Sequence, residues 1–346
     1  MIIGFTVASY SIVGNDAIQT LGTFLASNEK RPWWQLWLFA SGIMTAVLVY
    51  GWVMGDGDPA WGRLEKYPMP EDFSWLYVLP PLVLLVLTRF GLPVSTTFLV
   101  LTVFASKNLP SMLIKSFLGY GLAFVVGGVV YVLVAKAFEK SAAARSKKQP
   151  SIWWVVIQWL TTAYLWAMWL IQDLANIYVY LPRKLNLTWL LGSLVVMVGI
   201  QAYIFYTRGG TIQQIVTSKT NSQDIRSAAL INFLFGTVLF VFKDGWVMWL
   251  VTGETAKIPM STTWVFLGLL AGRELGINIQ LKLRSWRGLF GVIGGDIWKA
   301  GIGLAVSVVI ALVLPWAKDQ MEGAIGVGTA AEVQVDPPAT DASETP

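Results

Sequence analysis

Two residue types are missing from this 346-residue chain: there is no cysteine and no histidine. The first absence excludes disulfides and thiolate metal sites. The second removes the commonest metal ligand and the commonest proton shuttle. Charge is also sparse, at 13% of residues, with no dense carboxylate group. A membrane-embedded enzyme needs a nucleophile–base pair or a metal cluster, and neither is legible, so no enzyme and no cofactor are expected. The net charge of +5 reflects topology and carries no nucleic-acid signal.

What fills the chain instead is apolar sequence, 55% of residues, with 18 tryptophans. Runs long enough to cross about 30 Å of hydrocarbon recur along it. Trp33, Trp34, Trp75, Trp153 and Trp154 lie at their ends, as an interfacial aromatic belt predicts. No basic region precedes the first run, so a cleavable signal peptide is not expected. The pattern predicts an all-α integral membrane protein with about ten transmembrane segments: 3–26, 33–55, 74–89, 91–106, 111–136, 152–181, 188–207, 227–251, 258–273 and 289–316. Two of them, 91–106 and 258–273, are short enough for re-entrant hairpins, but the balance of basic residues favours crossing. The connector holding Lys136, Lys140, Arg145, Lys147 and Lys148 is placed in the cytoplasm by its charge. Ten crossings then put 15 basic residues inside and 7 outside, Arg63 among the latter. In that topology the first five segments start outside and the last five inside, so the halves are inverted. The expected organisation is a first repeat over 1–137, a basic linker over 138–151, a second repeat over 152–316 and a disordered acidic tail over 317–346. Lys115, Lys299 and Lys243 fall within spans and read as snorkelling side chains.

Two motifs recur in the same order in both halves. Pro93-Val94-Ser95-Thr96-Thr97 matches Pro259-Met260-Ser261-Thr262-Thr263. Upstream, Gly14-Asn15-Asp16-Ala17-Ile18-Gln19 matches Gln172-Asp173-Leu174-Ala175-Asn176. Similar offsets for both motifs indicate a duplication. An Asp inside a span is rare and marks function by default. Asp16 and Asp173 each carry an amide three residues on, Gln19 and Asn176, on the same helix face. Carboxylate and amide oxygens together suit a hard monovalent cation. A proline followed by three hydroxyl residues opens a helix with free N–H donors, which suits an anion. The structural alternatives are helix-capping Asp residues and hydroxyls bonded to the i−4 carbonyl; these explain one copy better than two matched copies. Cation and anion bound together offset each other's charge, the physical basis of symport.

Asn15-Asp16-Ala17 with Gln19, Gly91-Leu92-Pro93-Val94-Ser95-Thr96-Thr97 and Pro259-Met260-Ser261-Thr262-Thr263 resemble the inorganic phosphate transporter (PiT) family over about residues 5–316. The resemblance implies inverted repeats with short or broken helices at the midplane. It implies alternating-access symport of inorganic phosphate coupled to sodium, or alternatively to protons. Asp16 and Asp173 would bind sodium with Asn15, Gln19 and Asn176. Ser95, Thr96, Thr97, Ser261, Thr262 and Thr263 would contact phosphate. It also implies a homodimer in the cell membrane, read as a bacterial inner membrane. The departures are Gln172 for the first Asn of the second copy, Gln19 for Asn, and Phe98 and Trp264 where His is frequent. They keep open a sulfate or other tetrahedral oxyanion permease, and an anion channel.

Overall fold

The computed structural model describes residues 1–70, 74–90, 92–138, 150–208, 224–253, 255 and 257–332, without the side chains of 15–19, 315 and 318–332. Among the described residues the chain is helical and has no strand. The helices are α1 (Ile2–Ser27), α2 (Trp33–Met54), α3 (Leu79–Arg89), α4 (Thr96–Phe104), α5 (Leu109–Phe138), α6 (Ile152–Tyr178), α7 (Leu187–Tyr206), α8 (Ile225–Val241), α9 (Trp246–Thr252), α10 (Thr262–Leu281) and α11 (Trp286–Glu332). Five are long and apolar enough to cross a membrane: α2, α5 with the turn before it, α6, α7 and α11 to Leu314. The pair α8–α9, bent by 57°, is a sixth if it counts as one span. The chain is a multi-pass membrane protein.

The expected third and fourth segments are shorter than predicted. A 3-10 turn over Trp75–Val78 leads into α3, whose 11 residues rise about 16 Å, and the 9 residues of α4 rise about 14 Å. Each covers roughly half of the hydrocarbon. Phe104, at the end of α4, stacks on Tyr77, just before α3 (centroids 4.8 Å apart), so the pair folds back as a hairpin. The segment Leu92–Ser95 between them is outside any helix: Pro93 disfavours helical geometry at Leu92, and Ser95, in extended geometry, caps α4. At the other end of the chain, α11 continues past the predicted end at 316 to Glu332. Ala317, Lys318, Gln320, Met321 and Glu322 are good helix formers. The rest of the expected tail, and most of the basic linker, lie outside the described residues.

Helix pairs meet in a symmetric pattern. The start of α1 meets the end of α6 through Phe5 and Tyr178, and the end of α1 meets the start of α6 through Asn28 Nδ2, which donates to Gln158 Oε1 at 2.9 Å. These two helices are antiparallel. So are α2 and α7, where Trp33 packs on Tyr206 and Ser41 bonds Gln201 at 2.6 Å. By contrast, α5 and α10 run parallel and close. Gly268, Gly272 and Gly276 form a stripe four residues apart along α10. A methyl group on Gly268 or Gly272 would collide with the carbonyl of Tyr120 or Phe124, and one on Gly276 would sit 2.7 Å from Gly128 O. In lipid, where no hydrophobic drive pushes helices together, such close backbone approach maximises dispersion contact. Replacing Gly272 with Leu therefore forces α5 and α10 apart. We expect a loss of about 3 kcal/mol or more, read as a lowered melting temperature in detergent. Gly42→Ala, on α2 with nothing within 4 Å of the new methyl, serves as the neutral control.

Candidate functional site

The two Pro-x-Ser-Thr-Thr motifs meet in the interior. All six of their hydroxyl side chains are buried. Each serine is the N-cap of its helix, with φ −77 in both and ψ 110 or 108. Ser95 Oγ accepts from the Phe98 N–H at 3.2 Å, and Ser261 Oγ accepts from the Trp264 N–H at 3.3 Å. The motifs also bond each other reciprocally. Thr97 Oγ1 lies 3.1 Å from Met260 O, and Thr263 Oγ1 lies 3.3 Å from Val94 O. Met260 holds the second-motif position that Val94 holds in the first, so residue i meets j′ and i′ meets j. That exchange is the signature of a local two-fold relation.

The final helix of each half supports the motif of the other. Gly119 of α5 faces Met260, and Gly303 of α11 faces Pro93 and Val94. Gly119 to Gly303 is the same spacing as Lys115 to Lys299. The sequence already sets the two lysines at corresponding positions of the final spans, out of register with the motifs; α10 is 20 residues long and α4 only 9. Their environments differ. Lys299 is exposed. Lys115 is fully buried and donates to Ile258 O at 2.6 Å, so it does not snorkel. Its neighbour Ser116 accepts from the Ser261 N–H at 2.9 Å and fixes the backbone where the second motif begins.

Asp173, fully buried on α6, joins the two motifs. Its Oδ1 lies 3.2 Å from Thr97 Oγ1 and its Oδ2 accepts from Thr262 Oγ1 at 2.6 Å. Asn176, one turn on, donates to Asp173 Oδ1 at 2.8 Å and lies within reach of Thr96 Oγ1 (3.1 Å) and Thr97 Oγ1 (3.2 Å). Two acceptors on the same helix, Asn176 Oδ1 and Gln172 Oε1, have no partner among the described residues. Asp173 and Asn176, on one face of α6, present carboxylate and amide oxygens with lone pairs to spare, which suits a hard cation. Among the described residues no group of three or more acidic ligands is present, and a singly charged ion does not require one. The donors have spare capacity of the opposite kind. A hydroxyl carries one proton and accepts as well. Ser95, Ser261 and Thr96 each act as acceptors in the bonds above, so their protons are available to an anion.

Side chains of the other predicted cation ligands, Asn15, Asp16 and Gln19, lie outside the described residues; their backbone belongs to α1. Several neighbours went unread in the sequence. Gln172 stands in the second acidic motif with no ligand role expected of it, Ser116 lies in no motif, and the sequence puts Arg63 in an outer loop. That loop folds inward: Asp58 accepts from the Ala60 and Gly62 N–H groups, and Ala60, Arg63, Leu64 and Tyr67 are buried. The spacing of apolar Ala60, Leu64 and Tyr67 was the signal available. Of the other charged pairs, Lys243 and Asp244 make a loose, part-exposed contact at 3.7 Å. Buried Arg273 donates to Glu274 at 3.0 Å and lies over the Tyr131 ring.

No family model matches this chain, and no curated protein does. A solved structure, "The sodium-dependent phosphate transporter", superposes with a TM-score of 0.57 at 13% identity, covering 92% of this chain and 98% of that one. The chain has the fold of a sodium-dependent phosphate transporter. At this identity the likeness concerns the fold.

Ser116 supplies a test of how the second motif is held. Ser116→Ala leaves the Ser261 N–H buried without its acceptor, at a cost of about 1–3 kcal/mol. We expect a lower melting temperature, restored by Ser116→Thr, which keeps the hydroxyl.

Proposed function

We propose that this protein is a sodium-coupled transporter of inorganic phosphate that works by alternating access. The observation that carries the reading is a single buried carboxylate, Asp173, bonded by threonines of both motifs. The hydroxyls of Ser95, Thr96, Thr97, Ser261, Thr262 and Thr263 contact the oxyanion. Asp173 and Asn176 hold sodium, with Asn15, Asp16 and Gln19 as the matching set on α1. Sodium is cargo here, and no cofactor takes part. Because the anion sits against donors whose acceptors also hold the cation, each ion reduces the electrostatic cost of binding the other.

The two halves, in this reading, are inverted repeats over 1–137 and 152–316 in a ten-segment plan. The antiparallel pairs α1–α6 and α2–α7 support it, as do the reciprocal bonds between motifs. Re-entry of α3 and α4 from one side leaves the orientation of later segments unchanged, since a hairpin returns the chain to the side it left. Rocking of one motif-bearing unit against the other then opens the site to each side in turn.

Phosphate is favoured over sulfate by Asp173. A protonated phosphate oxygen donates a hydrogen bond to a carboxylate, and sulfate has no proton to offer. The test is uptake of radiolabelled phosphate and sulfate into liposomes with and without a sodium gradient. We expect phosphate uptake driven by inward sodium, with sulfate at least tenfold slower. Flux that ignores the gradient would instead mean a channel. Asp173→Asn and Asp16→Asn are expected to uncouple or abolish uptake, and unchanged ion dependence in both would end the coupling model. Thr262→Ala removes one bond to a buried charge, worth about 1.5–3 kcal/mol, and is expected to weaken phosphate uptake at least tenfold at limiting concentration.

A further inference from the structure

Away from the motifs, α10 and α11 are joined by the short turn 282–285 and leave a cavity of about 180 Å³ between them. One wall is the face of α10 that carries Leu267, Leu270 and Glu274. The other is the face of α11 that carries Ile293, Asp296 and Ile297, and Arg284 from the turn completes the lining. The turn is held in place. Lys282 ends α10 in the left-handed region at φ 50, and the Arg284 N–H donates to Asn278 Oδ1 at 2.8 Å. Lys282, Arg284, Trp286 and Arg287 are all exposed where the span of α11 begins, the pattern that marks headgroup depth. The cavity thus runs from a basic, aromatic rim at Arg284 to aliphatic walls within the membrane. Asp296 lies well inside the span, and a carboxylate there marks function by default.

The lining selects among ligand classes. A bare metal ion needs a shell of oxygens, and Leu267, Leu270, Ile293 and Ile297 offer none. A quaternary ammonium is recognised by aromatic faces, and no aromatic side chain lines the cavity among the described residues. A purely anionic headgroup would meet the carboxylates of Glu274 and Asp296. A primary ammonium, with three donors, suits them. Glu274 accepts from the buried Arg273 at 3.0 Å, and an ionised carboxylate keeps further lone pairs for a second donor. With Arg273 counted, carboxylates and guanidiniums balance, so a zwitterion matches the site better than an ion of either sign. We propose that the gap between α10 and α11 is a headgroup site for phosphatidylethanolamine, the lipid's ammonium bound by Glu274 and Asp296 and its phosphate by Arg284. The two-carbon arm between those charges is apolar, as the walls are. The volume falls below the roughly 300–1,000 Å³ of pockets that enclose a drug-sized ligand, so the site takes the headgroup and leaves the acyl chains in the bilayer. Ser261 caps the start of α10, and Gly303 of α11 faces Pro93 and Val94. The lipid therefore sits between the two helices that carry or support the motifs. The inference does not depend on the phosphate reading, because its readout is lipid binding.

The experiment is native mass spectrometry of the full chain in detergent, titrated with phosphatidylethanolamine, phosphatidylcholine and phosphatidylglycerol of identical acyl chains. Wild type is expected to bind one equivalent of phosphatidylethanolamine saturably, at least about fivefold tighter than either other lipid. Asp296→Asn is expected to cut the preference over phosphatidylcholine to under about twofold, since it removes a charged acceptor for the ammonium. Arg284→Gln is expected to weaken all three lipids alike, because all three carry the phosphate. Equal affinity of wild type for phosphatidylethanolamine and phosphatidylcholine would overturn the proposal, as would a preference for phosphatidylglycerol. Neither outcome needs a variant, which covers an Asp296→Asn protein that does not fold. A preference that survives Asp296→Asn unchanged would place the lipid elsewhere on the surface and also overturn it.

Discussion

A carboxylate removed from water needs donors, and at Asp173 those donors come from three helices at once. Thr97 opens one half of the site, Thr262 opens the other, and Asn176 stands on the same helix as the carboxylate. An unpaired carboxylate in this interior would cost several kcal/mol. The cost is met only when both Pro-x-Ser-Thr-Thr segments reach the same point. The requirement for internal hydrogen bonds also governs the backbone: extended chain at membrane depth survives only where protein groups meet it. Val94 O is met by Thr263 and the Ser261 N–H by Ser116, while Met260 O shares the single Thr97 proton with Asp173.

The glycine stripe of α10 and the half-length helices serve that same meeting point. Close packing of α10 on α5 brings Ser116 within bonding distance of Ser261. The short α3–α4 hairpin returns before crossing, which leaves Ser95 and Thr96 in the interior. A full-length helix in place of α4 would bury its hydroxyls against its own carbonyls and offer nothing to a ligand. Broken helices are thus how a chain with few charges builds a polar site, since free helix ends provide donors without ionised side chains.

The near-symmetry of the two motifs is broken around them. Lys115 is buried against Ile258 O while its equivalent, Lys299, is exposed. Arg63 and Tyr67, from the inward-folded loop, pack in the interior, Arg63 on the backbone of α6 and Tyr67 with its hydroxyl on Met112 of α5.

Membrane residence, helical class and the meeting of the two Pro-x-Ser-Thr-Thr motifs were legible in the sequence, because each depends on local chemistry: apolar run length, motif order, and residues that favour helix starts. Asp173 and Asn176 were legible for the same reason, as polar side chains on one face of an apolar helix. Span lengths were not, because hydropathy reports apolar run length and cannot separate a full crossing from a helix that turns back at Pro93. Arg63 was beyond reach for a stronger reason. A basic residue in a polar loop reads as solvated until tertiary contacts bury it, and its anchors, the carbonyls of Ile171 and Lys243, carry no side-chain identity that sequence could display.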